Sequence, residues 1–369
     1  MPPVEQRAQF SGSYRPEDVS ILLKPIAMEP VAIAEKERLI QSGQRHYSEM
    51  LSPETLPSPH YMDIFHQAFA MNRQRMAQGL LDLAAIVAAR RPYDITLVSL
   101  ARAGTPVGVA LKHVLTDILD RPATHYSLSI IRDRGIDQNA LRFILNDEAR
   151  EAAGIVFVDG WTGKGVIARE LKASVESFDR THGIRLDTTL FALTDLAGVG
   201  IAPTDADYLI PSSILNATMS GLISRSILNE RIGPDDFHGC VYYREFASED
   251  RSRWFVDELL REIRALLEEG YVPCPTPVDP LPARERSRIW LAAIQDRCGI
   301  TDENLIKPGI GEATRVLLRR VPERLIVRDP TAPEARHLLQ LAQEKKVHWE
   351  VDPALPYQAV SLIKGLSDA

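Results

Sequence analysis

The stretch GIVFVDGWTGKGVIAREL, residues 154–171, carries residue types suited to holding an anion. An apolar run, Ile155 to Val158, ends on Asp159; Gly160, Trp161, Thr162, Gly163, Lys164 and Gly165 follow, and then a helical pattern begins. A glycine-bearing turn that feeds a helix presents backbone N–H groups to a phosphate, with the helix dipole behind them. Asp159 alone would repel phosphate, but a carboxylate accepts hydrogen bonds from a sugar diol. A phosphorylated ribose satisfies both halves. The spacing excludes a P-loop, which needs glycine at Val158 and Ser or Thr at Gly165, and no GxGxxG follows a strand. A second turn, SLARAGTP, places Arg102, Ala103, Gly104 and Thr105 after a strand-like run, with Pro106 suited to a first helical turn. A third, SIIRDRGID, supplies Arg132, Asp133, Arg134 and Asp137, and paired arginines suit bidentate phosphate contact. All three turns follow strands of one sheet, so they meet at one edge. The plainer readings are a helix cap for Asp159, a surface salt bridge for Arg102 and a solvated loop for RDRGID.

On these residues the chain resembles the type I phosphoribosyltransferases over roughly residues 90–215, whose pattern is an apolar strand, two acids, a short spacer and TGGT. Here Gly160 replaces the second acid, and Thr162-Gly163-Lys164-Gly165 departs from TGGT. The resemblance implies a ribosyl-phosphate loop at residues 159–165, a pyrophosphate loop at Arg102–Thr105 and a flap around Arg132, Asp133, Arg134 and Asp137. It also implies Mg2+ carried by the substrate's oxygens. The expected reaction is transfer of ribose phosphate from phosphoribosyl diphosphate to a nucleophile read by Ser212, Ser213, Asn216, Thr218, Ser220 and Ser224. A noncatalytic nucleotide or ribosyl-phosphate binder would keep the pocket without the reaction, and Gly160 favours it.

Two further motifs stand apart. In FHGCVYY, His238 and Cys240 are two residues apart, so on a strand they share a face and imidazole could lower the thiol pKa. That makes Cys240 an alternative nucleophile, with His238 or His46 as base, against the commoner reading of a buried structural cysteine. In LIKPGIGEATRVLLRR, glycines and an acid precede a basic amphipathic helix. This resembles the RNA-contacting loop of the L7Ae and Pelota-type superfamily over about residues 284–366, which implies structured RNA at Gly309, Gly311, Glu312, Thr314 and Arg315, with Gly311 replacing the family's asparagine. The whole chain, through GSYRPEDV, QRHYSEMLS, SLARAGTP, RDRGID and FVDGWTGKG, resembles a bacterial family of phosphoribosyltransferase-like proteins with a C-terminal Pelota-type domain. That family is associated with tellurite-resistance and stress gene clusters and is also labelled a StiP cysteine protease family.

The elements that must position these residues alternate. Helix-like stretches (72–90, from 107, 139–150, from 165) separate strand-like ITLVSLA (95–101), THYSLSII (124–131), GIVFVD and TTLFALT (188–194). This is the pattern of βαβ units and an α/β fold with a parallel sheet covered on both faces. A run at 208–213, a helix at 218–229 and an amphipathic helix at 250–269 are expected next. YVPCPTPVDPLP, with prolines at 273, 275, 277, 280 and 282, reads as a stiff spacer. Beyond it, helices at 287–298, 311–320 and 334–343 and strands at 324–328 and 346–351 predict a small α/β/α unit. The expected domains are therefore an irregular extension (1–65), a phosphoribosyltransferase-like domain (66–270), a linker (271–283) and the C-terminal unit (284–369).

With 369 residues, a net charge of −7 and a mean hydropathy of −0.13, the composition fits a soluble protein of two or three domains. No apolar run is long enough to span a membrane, no signal peptide opens the chain, and three dispersed cysteines suit a reducing compartment, so a cytoplasmic location is expected. From residue 283 onward there are 14 Lys+Arg against 12 Asp+Glu, so any nucleic-acid role falls there. A homo-oligomer is compatible with this composition.

Overall fold

A computed structural model describes residues 10–320 and 322–363. In chain order its first part contains strands β1 (Ser20–Leu22) and β2 (Lys24–Pro25), helices α1 (Ile33–Gln41) and α2 (Pro59–Arg90), then β3 (Ile95–Ala101), α3 (Gly104–His113), β4 (Ala123–Ile131), β5 (Gly135–Ile136) and α4 (Gln138–Arg142). There follow β6 (Ile155–Thr162), α5 (Val166–His182), β7 (Leu190–Asp195), β8 (Gly239–Cys240) and α6 (Ser252–Glu268). The central sheet runs β1-β4-β3-β6-β7, all parallel, with β5 folding back antiparallel on β4. Leu97, Val98, Val156, Phe157 and Val158 are fully buried, as a sheet covered on both faces requires. One cover is α2, whose N-terminus is capped by Ser58 Oγ at 3.3 Å from the Tyr61 N–H with Pro59 in the first turn. Its face of Phe65, Phe69, Met76, Leu80 and Leu83 packs on α6 through Phe69–Trp254 and Phe69–Phe255 ring contacts. The other cover is α5, with Leu171, Val175 and Phe178 against Phe157. Gly108 lets α3 settle on the sheet: a Cβ there would lie 2.3 Å from His125 Nε2.

The expected strands at 95–101 and 124–131 appear nearly unchanged. The helix expected at 218–229 does not form. Residues 214–228 hold only a short turn at Ala217–Met219, because Ser220 Oγ bonds the Asn216 carbonyl at 3.0 Å and Ser224 Oγ takes the Val241 N–H at 2.9 Å. Such side chains offer the backbone an alternative to the helical ladder. Residues 208–213 form no strand, and the N-terminal stretch read as irregular supplies β1, the sheet's edge.

The second part contains α7 (Pro280–Cys298), β9 (Ile306–Pro308), α8 (Ile310–Arg319), β10 (Pro322–Val327), α9 (Arg336–Glu344), β11 (His348–Val351) and β12 (Ala359–Ile363). Its sheet, ordered β11-β10-β12-β9, lies between α7 on one face and α8 with α9 on the other. This part is not tethered loosely. Ile310, Ala313 and Leu317 of α8 belong to the same apolar core as Tyr208, Leu209 and Ile210. The proline-rich stretch is pinned too, by Val278 N–H to the Ala202 carbonyl (3.0 Å) and Cys274 N–H to Asp82 (2.8 Å).

Candidate functional site at the sheet rim

The carboxyl ends of β3, β4 and β6 do bring the three predicted turns to one edge. They are packed together rather than left open. A Cβ on Gly104 would fall 2.6 Å from the Val158 carbonyl oxygen and 3.4 Å from Asp159 Oδ1, so the turn after β3 rests directly on the end of β6. Asp159 is partly buried and accepts from its own neighbour, Gly160 N–H, at 2.8 Å. Burial pushes its carboxyl up to about 7, against the pull of Arg315.

The glycine segment expected to cradle a phosphate is engaged with protein. β6 continues through Trp161 and Thr162, paired with Thr194 and Asp195 of β7. Thr162 Oγ1 donates to Asp195 and accepts from Ala197 N–H at 3.3 Å. Gly163 faces the Pro308 carbonyl, Lys164 Nζ bonds the Glu303 carbonyl, and Gly165, at φ 77°, starts α5. The C-terminal unit sits where the ribosyl phosphate was expected. Among the described residues, no three His, Cys, Asp or Glu side chains group as a metal site.

Arg102 is held by Glu54 at 2.6 Å, by Asn216 Oδ1 at 3.0 Å and by the Ile223 carbonyl at 3.3 Å, which is the salt-bridge alternative. Ala103 precedes α3, and Thr105 is buried with its hydroxyl 2.7 Å from Ser127 Oγ. The expected flap is a tight β4–β5 hairpin. Arg132 N–H bonds Tyr47 Oη at 2.8 Å, Asp133 N–H bonds Glu170 at 2.9 Å, and Arg134 lies 3.5 Å from Glu49. Asp137 caps α4 through Ala140 N–H at 3.0 Å and also accepts from His238 N–H at 2.6 Å. Of the expected acceptor residues, Asn216 is spent on Arg102 and Thr218 is buried, while the buried hydroxyls of Ser212 and Ser213 have no hydrogen-bond partner. Ser213 lines a narrow pocket with Trp161, Asp207, Tyr208, Gly309 and Gly311.

The loop expected to touch RNA closes that pocket. Gly309, at φ 93°, leaves no room for a Cβ against Leu196, and Gly311 faces Ser213 and Trp161. Ile310 N–H bonds both oxygens of Asp207, at 3.0 and 3.1 Å, and Gln358 N–H bonds one at 2.7 Å. Burial pushes Asp207 up to about 6 despite these donors. Glu312 pairs with Arg315 at 2.9 Å, and Thr314 is buried against His337. Gly309 and Gly311, expected at an RNA contact, face protein here, at an internal interface.

Sequence reasoning missed Lys36, Tyr47, Glu54, Asp207, Arg225 and Lys307. Two of them meet the predicted Arg132: Arg132 and Arg225 both lie over the Tyr47 ring, at 5.4 and 5.1 Å.

Cys240 does not meet the geometry of an activated thiol in this conformation. It is fully buried in the large apolar core, and burial pushes the thiol up to about 12. β8 is two residues long, and His238 lies just outside it with Nδ1 on Ser129 Oγ at 2.8 Å. His46 stands beside Tyr47, its Nδ1 on Ser48 Oγ at 2.8 Å.

An α/β protein with a parallel sheet, a second α/β unit sealed over its rim and one cysteine in its core is the class this geometry defines. A family model described as "Tellurite-like stress resistance cysteine protease StiP" matches residues 12–260, and one described as "PELOTA RNA binding domain" matches residues 285–365. "Cysteine protease StiP" of Acinetobacter baylyi (strain ATCC 33305 / BD413 / ADP1) is 41% identical over 369 residues, spanning 97% of this chain and 95% of that one. The chain belongs to the StiP family. These matches overturn the transferase expectation, since the family is described as a cysteine protease; the packed glycine segment gives the physical reason the ribosyl-phosphate reading fails. No helix among the described residues is long and apolar enough to cross a membrane.

Proposed function

We propose that the chain is a cysteine peptidase whose nucleophile is Cys240, held latent in the conformation described here. The observation that carries this is positional: of the three cysteines, only Cys240 lies within the residues matched to the protease family, Cys274 and Cys298 falling beyond them. In the working form, the thiol proton passes to the His238 Nε2, sulfur bonds the scissile carbonyl carbon, the amine leaves with that proton, and water then hydrolyses the thioester. His238 is already oriented by Ser129 through Nδ1. What the chemistry lacks is access. β8 is held to β2 by Lys24 N–H to the His238 carbonyl (2.9 Å) and Ile26 N–H to the Cys240 carbonyl (2.8 Å). Two such bonds are worth about 1–3 kcal/mol together, so displacing β2 is a modest cost beside exposing the core beneath. The same scaffold supports, on our reading, a phosphoribosyltransferase-like fold that has been turned to other chemistry.

The test uses the full chain with Cys274→Ser and Cys298→Ser. Iodoacetamide is expected to label Cys240 at least 100-fold more slowly than free cysteine in buffer, and to label it readily at urea concentrations that loosen the N-terminal segment. Casein hydrolysis is expected to rise in parallel and to vanish in Cys240→Ser. Hydrolysis that survives Cys240→Ser, or that never appears as labelling rises, refutes the assignment.

A further inference from the structure

One margin of the second sheet carries no neighbouring strand among the described residues. β11 pairs with β10 alone, in parallel, from Arg324↔His348 to Val327↔Val351. Just past β11, Asp352 donates its N–H to the Val327 carbonyl at 3.0 Å. With a period of two, Glu350 and His348 turn their backbone groups the same way, and the N–H and C=O of Trp349 and Val351 point outward from the sheet. The side chains of Trp349 and Val351 share a face with Leu325 and Val327, on the α9 side, yet they are 41% and 44% exposed. Such an edge is a template for another strand, and natural sheets shield or charge it. This edge is charged, but in an order that suits one partner. From Lys346 the chain reads KVHWEVD. Laid antiparallel on a copy of itself about Trp349, the segment sets His348 opposite Glu350, Val347 opposite Val351 and Trp349 opposite Trp349, with Lys346 at the end where Asp352 lies. The backbone allows this register. Trp349 exchanges both hydrogen bonds with its copy, and Val351 N–H meets the Val347 carbonyl, the Val347 N–H being spent on the Ala342 carbonyl at 2.8 Å. A slip of one residue sets Trp349 against Glu350 and turns the wrong backbone groups to the seam. The acids are held ready for it: Glu350 meets Arg297 at 2.9 Å and Arg324 at 3.4 Å, and Asp352 meets Arg297 at 3.8 Å. At the start of the strand Arg320, Lys345, Lys346 and His348 line an open groove with one acid, Glu323, and Glu37 reaches Arg320 at 3.4 Å. An incoming Asp352 brings that groove further negative charge.

We propose that β11 is a self-association edge, on which a second copy of the chain adds its own β11 antiparallel about a two-fold axis at Trp349, joining the two C-terminal sheets into one. Opposite charges and matched apolar side chains directly across a strand pair stabilise it, and like charges oppose it. A two-fold contact closes on itself, so the product is a dimer and not a fibre. The seam is smaller than the roughly 1,200 Å2 of a standard interface, so the dimer is a reversible one. The edge is independent of Cys240 and stands or falls separately from the peptidase reading.

The experiment is sedimentation equilibrium of the full chain at concentrations up to about 200 μM. A monomer–dimer equilibrium with a Kd on the order of 10 μM and no larger species is expected. Trp349→Lys and Trp349→Glu each set like charges across the axis and are expected to weaken association about tenfold. Mixed in equal amounts, the two variants associate again, because residue 349 meets only its own copy. Val351→Pro removes an outward N–H that β10 does not use, and is expected to weaken the dimer about tenfold with the circular dichroism of the wild type. Tyr93→Ser, at a ring 78% exposed ahead of β3, stays within about threefold. A chain still monomeric at about 200 μM overturns the proposal. So does association that survives both Trp349→Lys and Val351→Pro, or a mixture of the two Trp349 variants that associates no better than either alone. Should circular dichroism show one variant unfolded, the others decide.

Discussion

At the residue scale, Asp159 and Cys240 show what burial does to groups that the sequence offers as chemical ones. A carboxyl whose pKa is raised in the fold takes up a proton on folding, so its charge costs stability increasingly as pH rises from about 4 to about 7 and remains costly above that. Asp159→Asn is therefore expected to raise stability at pH 8, by about 1–3 kcal/mol, and to change little at pH 4. Thermal denaturation at the two pH values checks this; equal effects at both would show that the carboxylate is already satisfied. Gly108 gives a second expectation. Gly108→Ala puts a methyl against His125 Nε2, which is bonded to Ser99 Oγ at 2.8 Å, and costs about 1–3 kcal/mol in urea denaturation.

At the element scale, the strand–turn–helix alternation was legible because buried parallel strands such as Ile95–Ala101 read as short β-branched runs. The convergence of the turns after β3, β4 and β6 was legible too, since parallel strands share an edge. What covers that edge was not. Nothing local in LIKPGIG says that Ile310 will spend its N–H on Asp207, more than a hundred residues earlier, or that Glu54 will reach Arg102. The segment 218–229 misled in the other direction, read as a helix that the hydroxyls of Ser220 and Ser224 undo. Asp207 is the acceptor on which the junction turns. Asp207→Ala leaves the Ile310 and Gln358 amides without their acceptor and is expected to cost about 2–4 kcal/mol. Amide hydrogen exchange should show protection lost first at Ile310 and Gln358; uniform loss across the molecule would place the effect elsewhere.

At the scale of the whole molecule, the two parts share one apolar core, so their packing and the protonation of groups at their junction are coupled. Desolvation and neighbouring cations lower Lys36 to about 7 and Lys164 to about 8. The edge strand β1 has a different consequence, one for synthesis. Ser20–Leu22 pairs with Tyr126–Leu128, and the adjoining Lys24–Pro25 waits for Gly239–Cys240. At about 5–20 residues per second, that second partner leaves the ribosome about 6–22 s after the first. Throughout that interval the nascent chain carries an uncompleted sheet margin and a thiol still to come, so translation speed, as much as sequence, governs whether this segment finds its own place or a neighbour's.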